Sequence, residues 1–261
     1  MPTALCVIRN EASYRKEFFI EGLKRNGYKI ATDINHAPKP DDVLVAWNRH
    51  SSHDVHARRF EAAGATVIVA ENGFVGKDAG GHKLYAMCLG HHLGRGTWRV
   101  GEADRWTPLG IELKPWRTTG THILVLAARG IGERGVAQPR SWPTDIAARL
   151  AKVTKRPIKV RLHPGIQLRL NDAVMPPLDL EDCWACVTWG SGAGIKSTIA
   201  GVPVFHELDG WIGAGAARFG IEDLEAPFMG DRLPMLRRMA WAQWSAAEIA
   251  TGEPIKWLLS R

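Results

Sequence analysis

Short runs of apolar residues alternate along the chain with segments in which apolar positions recur every three or four residues. In the N-terminal part, the runs at residues 5–8, 43–47 and 66–70 predict three buried strands. The segments at residues 14–25 and 53–63, each closed by a glycine, predict helices between them. Continuous apolar strands separated by helices are typical of a parallel sheet that is covered on both faces.

The same alternation resumes after residue 120. Four further strands are predicted, at residues 122–126, 158–162, 184–188 and 202–205. Four helices are predicted, at residues 143–153, 193–200, 233–251 and 254–259. Trp241 and Trp244 lie on one stripe of the third of these helices, which predicts that both are buried.

Residues 71–120 separate the two halves and show little periodicity. They are rich in Gly, His, Trp and Arg, which predicts loops, with a short helix at residues 84–89 and a linker at residues 114–117. We therefore predict an α/β protein of two Rossmann-like lobes, each a parallel sheet flanked by helices. The N-terminal lobe is expected at residues 1–115 and the C-terminal lobe at residues 116–261.

The chain is basic, and this narrows the class of partner. Its 261 residues carry a formal net charge of +7, with a pI near 9.4. Such a balance favours anionic partners such as nucleotide phosphates, nucleic acid or an acidic glycan. The eleven tryptophans favour either stacking surfaces or an aromatic core, and do not choose among these partners.

Apolar runs and cysteines bear on the cellular compartment. No apolar run approaches the roughly 18–20 residues that span a bilayer, and the N-terminal residues lack the basic segment of a signal peptide. Four cysteines form no disulfide framework in a chain of this length, and no second pair completes a zinc site around Cys183 and Cys186. We expect a cytoplasmic protein without a membrane span or a metal site; its oligomeric state stays open.

A Gly/Ser-rich turn between a predicted strand and a helix is the strongest candidate for a phosphate site. Small residues let backbone amides approach an anion, and the N-terminus of the following helix offers free N–H groups. The residues expected to take part are Gly190, Ser191, Gly192, Gly194 and Lys196. Ile195 stands where a Walker A motif needs glycine, which argues against an NTPase. The alternative is that the glycines only allow the helix to pack on the sheet.

The strand at residues 158–162 carries a basic face. Lys159, Arg161 and His163 alternate with apolar residues and therefore share one side of the strand. His163, held at the strand end by Pro164, is expected to donate a hydrogen bond to a phosphate. The alternative is an edge strand whose basic face is solvated.

The loop after the strand at residues 122–126 is the third candidate. Gly130, Gly132 and Gly135 have the spacing of a dinucleotide-binding fingerprint, but two prolines follow instead of a helix, which argues against NAD. We therefore predict a cationic loop that covers phosphates, with Arg129 and Gly130 in contact with the ligand.

Glu71 follows the third predicted strand, where a general base is expected. The alternative is ordinary loop polarity, and the histidines His91 and His92 are rivals for the same role. His53 and His56 lie three residues apart, but no third ligand accompanies them, so no metal site is predicted there.

Taken together, these motifs resemble the GT-B glycosyltransferases, in which two Rossmann-like lobes bind a nucleotide-sugar. The chain is most similar to the branch that includes bacterial sialyltransferases and capsule Kdo transferases, and also looks like phage and prophage proteins of about this length. That branch carries a His-Pro motif and a serine motif that touch the donor phosphate, and His163-Pro164 and Ser191 occupy those places. The resemblance implies transfer of a sugar from a nucleotide-sugar co-substrate, with no metal and no other cofactor.

Charge and tryptophan content bear on the acceptor. Positive charge and tryptophan favour a hydroxylated base, such as a hydroxymethylated base in phage DNA, and the candidate contacts are Arg49, Arg58, Arg59, Arg95 and Arg99. The alternatives are a bacterial surface glycan as acceptor, or a non-catalytic protein that binds nucleotide or nucleic acid. The donor nucleotide, its sugar and the stereochemical outcome stay open.

Overall fold

A computed structural model describes residues 1–167 and 177–260, which form two compact units. The first unit comprises Met1–Gly110, Gly132–Val136 and Arg237–Arg261, and the second comprises Ile111–Ile131 and Ala137–Leu236. The chain leaves the first unit after Gly110, near the division expected at residue 115, and returns to it in the short loop Gly132–Val136 and in the C-terminal segment Arg237–Arg261.

The strands are, in chain order, β1 (Thr3–Cys6), β2 (Lys29–Ile30), β3 (Val43–Trp47), β4 (Thr66–Lys77), β5 (Lys83–Leu89), β6 (His122–Leu126), β7 (Ile158–Arg161), β8 (Cys183–Thr188), β9 (Val204–His206), β10 (Arg218–Phe219) and β11 (Gln243–Ser245). The α-helices are α1 (Lys16–Arg25), α2 (Ser52–Ala62), α3 (Trp142–Val153), α4 (Pro164–Gln167), α5 (Gly192–Ile199), α6 (Leu233–Ala240), α7 (Ala246–Thr251) and α8 (Glu253–Leu259).

The first unit is built on a six-stranded sheet in the order β11-β5-β4-β3-β1-β2. Strands β1 to β4 are parallel, whereas β5 and β11 are antiparallel to their neighbours. Strand β3 is buried along its whole length, as its unbroken apolar run predicts. Helix α1 packs against α7 so closely that a Cβ at Gly22 would lie 2.3 Å from the carbonyl oxygen of Ile249. This contact and the β11–β5 pairing hold the C-terminal segment in the first unit.

Two predicted helices are wrong for the same reason. Residues 84–89 form strand β5 instead of a short helix, and β4 continues to Lys77, so Glu71 lies inside a strand. The helix predicted at residues 233–251 is interrupted by β11, which places the buried Trp244 in the sheet; Trp241 stays partly exposed. In both segments, antiparallel pairing between residues distant in sequence overrides the local pattern.

The second unit is built on a five-stranded parallel sheet in the order β10-β9-β8-β6-β7. Its core joins residues of β6 and β8 to Trp142, Ile146 and Leu150 on α3. The predicted fold class is therefore confirmed: two sheets of mainly parallel strands, each flanked by helices. In the described part of the chain, no helix has the length and apolar character needed to cross a membrane.

Candidate functional site

The carboxyl ends of three neighbouring strands bring the phosphate-site candidates of the second unit to one sheet edge. Strand β6 lies between β7 and β8, so the chain leaves β6 in one direction and returns on its other side. Ligands of open parallel sheets bind at such a switch point. The residues that follow these three strands are those predicted from sequence: Arg129 after β6, His163 after β7 and Ser191 after β8.

Ser191 stands between β8 and α5 with its hydroxyl group oriented by Thr188. The Thr188 hydroxyl donates to Ser191 Oγ over 3.0 Å, and Thr188 Oγ1 accepts the backbone N–H of Ser191 over 3.1 Å. Ser191 has the extended backbone of an N-cap residue, but its side chain makes no capping bond to α5. Its hydroxyl proton is therefore free for a ligand, as are the N–H groups of Gly192 and Ala193 among the described residues, whereas the Gly194 N–H donates to the Ser191 carbonyl over 3.0 Å.

The glycines of this turn divide into two groups. A Cβ at Gly190 would lie 2.8 Å from Leu208, and one at Gly194 would lie 2.9 Å from Trp211, so both positions are required by packing. Gly192 has open space where its Cβ would be. The packing alternative therefore explains Gly190 and Gly194, and of these three glycines only Gly192 leaves open space for a ligand beside its backbone. Lys196 is exposed in the last turn of α5, one turn beyond Gly192.

His163 is held as a neutral donor at the end of β7. Its Nδ1 accepts the backbone N–H of Gly165 over 3.0 Å, which leaves the proton on Nε2. Burial lowers the pKa of His163, and the cations of Arg129 and Arg161 lower it further. Pro164 begins α4 and is buried.

Arg129 is exposed in a loop that a buried glutamine fixes. Gln138 Oε1 accepts the backbone N–H of Ala128 over 2.8 Å, and its Nε2 donates to the Ala128 carbonyl. Gly130 has a φ of 66°, and a Cβ there would approach the Gln138 carbonyl oxygen to 3.1 Å. Sequence reasoning missed Gln138, since nothing near it in sequence marks its contact with this loop.

In the first unit, Glu71 is buried and binds the turn that follows β5. Its Oε1 accepts the backbone N–H of Leu93 over 2.6 Å, at a residue whose φ is 57°. Burial raises the pKa of Glu71, although the Leu93 and Gly94 N–H groups and His92 oppose the shift. A buried carboxyl group with these partners holds the turn and is poorly exposed to an acceptor.

A second carboxylate, Glu133, joins the two predicted histidines. Glu133 Oε1 lies 2.6 Å from His91 Nδ1, and Oε2 lies 3.2 Å from His92 Nδ1. Burial would raise the pKa of Glu133, but these hydrogen bonds outweigh it and lower the pKa to about 2. The His91 side chain is 41% exposed and that of His92 is 4% exposed. His91 therefore presents Nε2 to solvent while a carboxylate fixes its other nitrogen, the arrangement of an oriented general base.

Glu133 reaches this cluster through a short excursion of the chain into the first unit. Gly132, with a φ of 137°, lies so close to His92 that a Cβ there would be 1.9 Å from the imidazole carbon Cε1. Sequence reasoning missed Glu133 because it stands 41 residues from His92. Within the described ranges, no group of three His, Cys, Asp or Glu side chains is placed to hold a metal ion.

Most of the five arginines proposed for the acceptor are engaged within the first unit. Arg49 is buried, and it binds Asp54, Glu61 and the Gly90 carbonyl. Arg58 pairs with Asp54, and Arg59 donates to the carbonyl groups of residues 34–36.

The other two arginines lie in the segment after β5. Arg99 lies over the ring of Trp257 and donates to Ser260. Arg95, which is half-buried, has no side-chain partner within the described ranges. The structure therefore does not gather these five guanidinium groups into one open basic surface.

Two solved structures are similar to this chain over nearly its whole length. The KpsC β-Kdo 2,7 transferase of Thermosulfurimonas dismutans matches with a TM-score of 0.58 and 13% identity, over 97% of this chain and 98% of that chain. The β-Kdo 2,4 transferase of KpsC from the same organism matches with a TM-score of 0.55 and 13% identity, over 94% and 92%. No protein-family model matches the sequence, and no curated protein does.

At this level of identity the likeness concerns the fold. The chain has a GT-B-like fold of two mainly parallel sheets flanked by helices, as the sequence predicts. The roles of the individual site residues rest on the geometry given above.

Proposed function

We propose that the protein is a glycosyltransferase that moves a sugar from a nucleotide-sugar donor to a hydroxyl group of a saccharide acceptor. The observation that carries this proposal is the convergence of Ser191, His163 and Arg129 at the switch point of the second sheet. All three provide hydrogen-bond donors to an anion, and a nucleotide-sugar presents phosphate oxygens.

Each group has a distinct part in holding the donor phosphates. The Ser191 hydroxyl and the free N–H groups at the start of α5 bind one phosphate, with Gly192 allowing the close approach. Nε2 of the neutral His163 donates to the same group of oxygens, and Arg129 balances charge. These protein groups hold the phosphates without a metal in this proposal, and Lys196 adds charge one turn further along α5.

The proposed base is His91. Its Nε2 takes the proton of the acceptor hydroxyl, while the Glu133 carboxylate holds Nδ1–H and stabilises the imidazolium that forms. Glu71 is replaced in this role, since its carboxyl group is buried and already accepts backbone hydrogen bonds.

A saccharide acceptor has more support than DNA. DNA would need several free cations to neutralise backbone phosphates, and four of the five candidate arginines have partners within the first unit. Both similar structures are named as Kdo transferases.

The test is release of free nucleotide from a panel of nucleotide-sugars, including a CMP-linked acidic sugar, with three acceptor arms. One arm contains oligosaccharides, one contains hydroxymethylated duplex DNA, and one contains no acceptor. Release that depends on an oligosaccharide supports the proposal. Release that depends on DNA restores the DNA acceptor, and nucleotide binding without release in any arm indicates a non-catalytic protein.

A further inference from the structure

The first unit contains a cavity of about 450 Å³ at the switch point of its own sheet. Strand β1 lies between β2 and β3, and the cavity is lined by residues at the carboxyl ends of β1 and β2 and at the starts of α1 and α2. Pockets for small molecules occupy roughly 300–1,000 Å³ and lie preferentially at such places. This cavity shares no residue with the phosphate-site candidates or with the histidine–glutamate cluster.

The polar lining of the cavity is cationic or neutral. Lys16, His53, His56 and Ser52 line it together with apolar side chains such as Ile20 and Ile30, and no carboxylate does. At its floor, burial raises the pKa of the Cys6 thiol to about 11, so the thiol is uncharged. Lys16 is therefore not neutralised from within the cavity.

His56 is prepared as a hydrogen-bond donor to the cavity. It is 9% exposed, and Arg59 donates to its Nδ1 over 3.3 Å, which places the proton on Nε2. Burial lowers the pKa of His56, and the nearby Arg59 cation lowers it further, so the ring is neutral near pH 7. Its Nε2 has no partner among the residues that the structure describes.

The turn that presents these groups is strained. Between β3 and α2, Asn48, Arg49 and Ser51 have φ values of 55°, 42° and 55°, although none is glycine. The ring of His53 is fixed at this turn, where its Nδ1 lies 2.8 Å from the Trp47 carbonyl oxygen. Non-glycine residues in this region cost of order 1–3 kcal/mol each and cluster at functional sites.

We propose that this cavity is a second binding site, which takes a small organic anion independently of the donor site. Its phosphate or carboxylate group binds the Lys16 ammonium and His56 Nε2–H, and its body packs on Ile20 and Ile30. A lining with one full positive charge, two imidazoles and no carboxylate fits a phosphorylated or carboxylated small molecule better than a neutral one.

The experiment is calorimetric titration of the full chain with three probes that share one body: glucose 6-phosphate, glucuronate and glucose. The first carries a phosphate ester at C6, the second has a carboxylate as C6, and glucose carries no anionic group. We expect at least one anion to bind at least tenfold more tightly than glucose, and the tighter of the two identifies the group. Equal binding of all three, or no binding of either anion at millimolar concentration, overturns the proposal.

Variants then locate the site. Lys16→Met should weaken anion binding about tenfold or more, whereas Lys24→Met, an exposed lysine on the same helix, should change it less than twofold. Ser191→Ala should leave anion binding unchanged, and loss of binding in that variant would assign the anion to the second unit. The imidazole NMR signals of His53 and His56 should shift on titration of the wild type, and constant signals contradict the proposal even if Lys16→Met unfolds.

Discussion

Glu133 Oε1 lies 2.6 Å from His91 Nδ1, so a carboxylate distant in sequence orients the most exposed histidine of its cluster. The same carboxylate reaches His92 through its other oxygen. These two contacts make Glu133 a positioning residue in the proposed mechanism.

Glu133→Gln tests this role. An amide cannot stabilise the imidazolium of His91, so we expect kcat to fall on the order of 100-fold while KM for the donor stays unchanged. Donor binding should be unchanged. Asp78→Asn is the matched control, because Asp78 holds the exposed His82 by a similar contact. A lower kcat accompanied by weaker donor binding would indicate a purely structural role.

The difference in free energy of unfolding between Glu71→Gln and the wild type is expected to shift in favour of the variant as pH rises. The folded state raises the pKa of Glu71, so it keeps a proton that the unfolded chain loses above its ordinary value of 4.5. Wild-type stability therefore falls as pH rises from 4.5 toward the folded pKa, and the glutamine variant lacks this loss. Urea unfolding of both proteins between pH 4 and 8 should show that the free energy of unfolding of the glutamine variant rises relative to that of the wild type as pH increases. A constant difference contradicts a raised pKa.

Much of the fold follows from the sequence because parallel strands buried on both faces have a local signature. The apolar run of β3 is visible without any tertiary information, as are the strand–turn–helix around Ser191 and the His163-Pro164 strand end. Strands β5 and β11 have no such signature, since their structure depends on pairing with each other and with β4.

The candidate site divides in the same way. Residues that follow strands were found because chain position predicts their place at the sheet edge. The sequence does not reveal Glu133 and Gln138, because their contacts depend on how the loop between β6 and α3 folds. The spacing of apolar residues carries no information about that loop. Glu71 was assigned as a base from its position alone, and only its burial and hydrogen bonds reveal its contact with the turn after β5.

Gly132→Ala should destabilise the first unit more than Gly135→Ala. Both glycines have positive φ, which costs an alanine roughly 1–2 kcal/mol. At Gly132 the new Cβ would also meet His92, adding about 1–3 kcal/mol, whereas the site at Gly135 is open. Urea denaturation measures the free energy of unfolding of the two variants. Equal values would show that the Gly132 loop shifts to accommodate the new Cβ without loss of stability.

Two glycines near Ser191 are expected to have different roles, Gly194 in packing and Gly192 in ligand binding. Gly194→Ala should cost roughly 1–3 kcal/mol of stability through its contact with Trp211. Gly192→Ala should leave stability unchanged or slightly higher, and should weaken nucleotide binding because its Cβ occupies the open space beside the helix N-terminus. Thermal unfolding and calorimetry distinguish the two effects; unchanged affinity in Gly192→Ala would remove this backbone from the donor site.

Titration with a nucleotide-sugar and with its free nucleotide tests whether the switch point of the second sheet holds the donor phosphates. Ser191→Ala and His163→Ala should each lose about 1.5–3 kcal/mol of binding free energy, a weakening of roughly 10- to 150-fold, with the fold intact. Thr121→Ala, an exposed site just before the amino end of β6, is the control and should bind as the wild type does. Wild-type affinity in both the Ser191 and His163 variants would contradict the account.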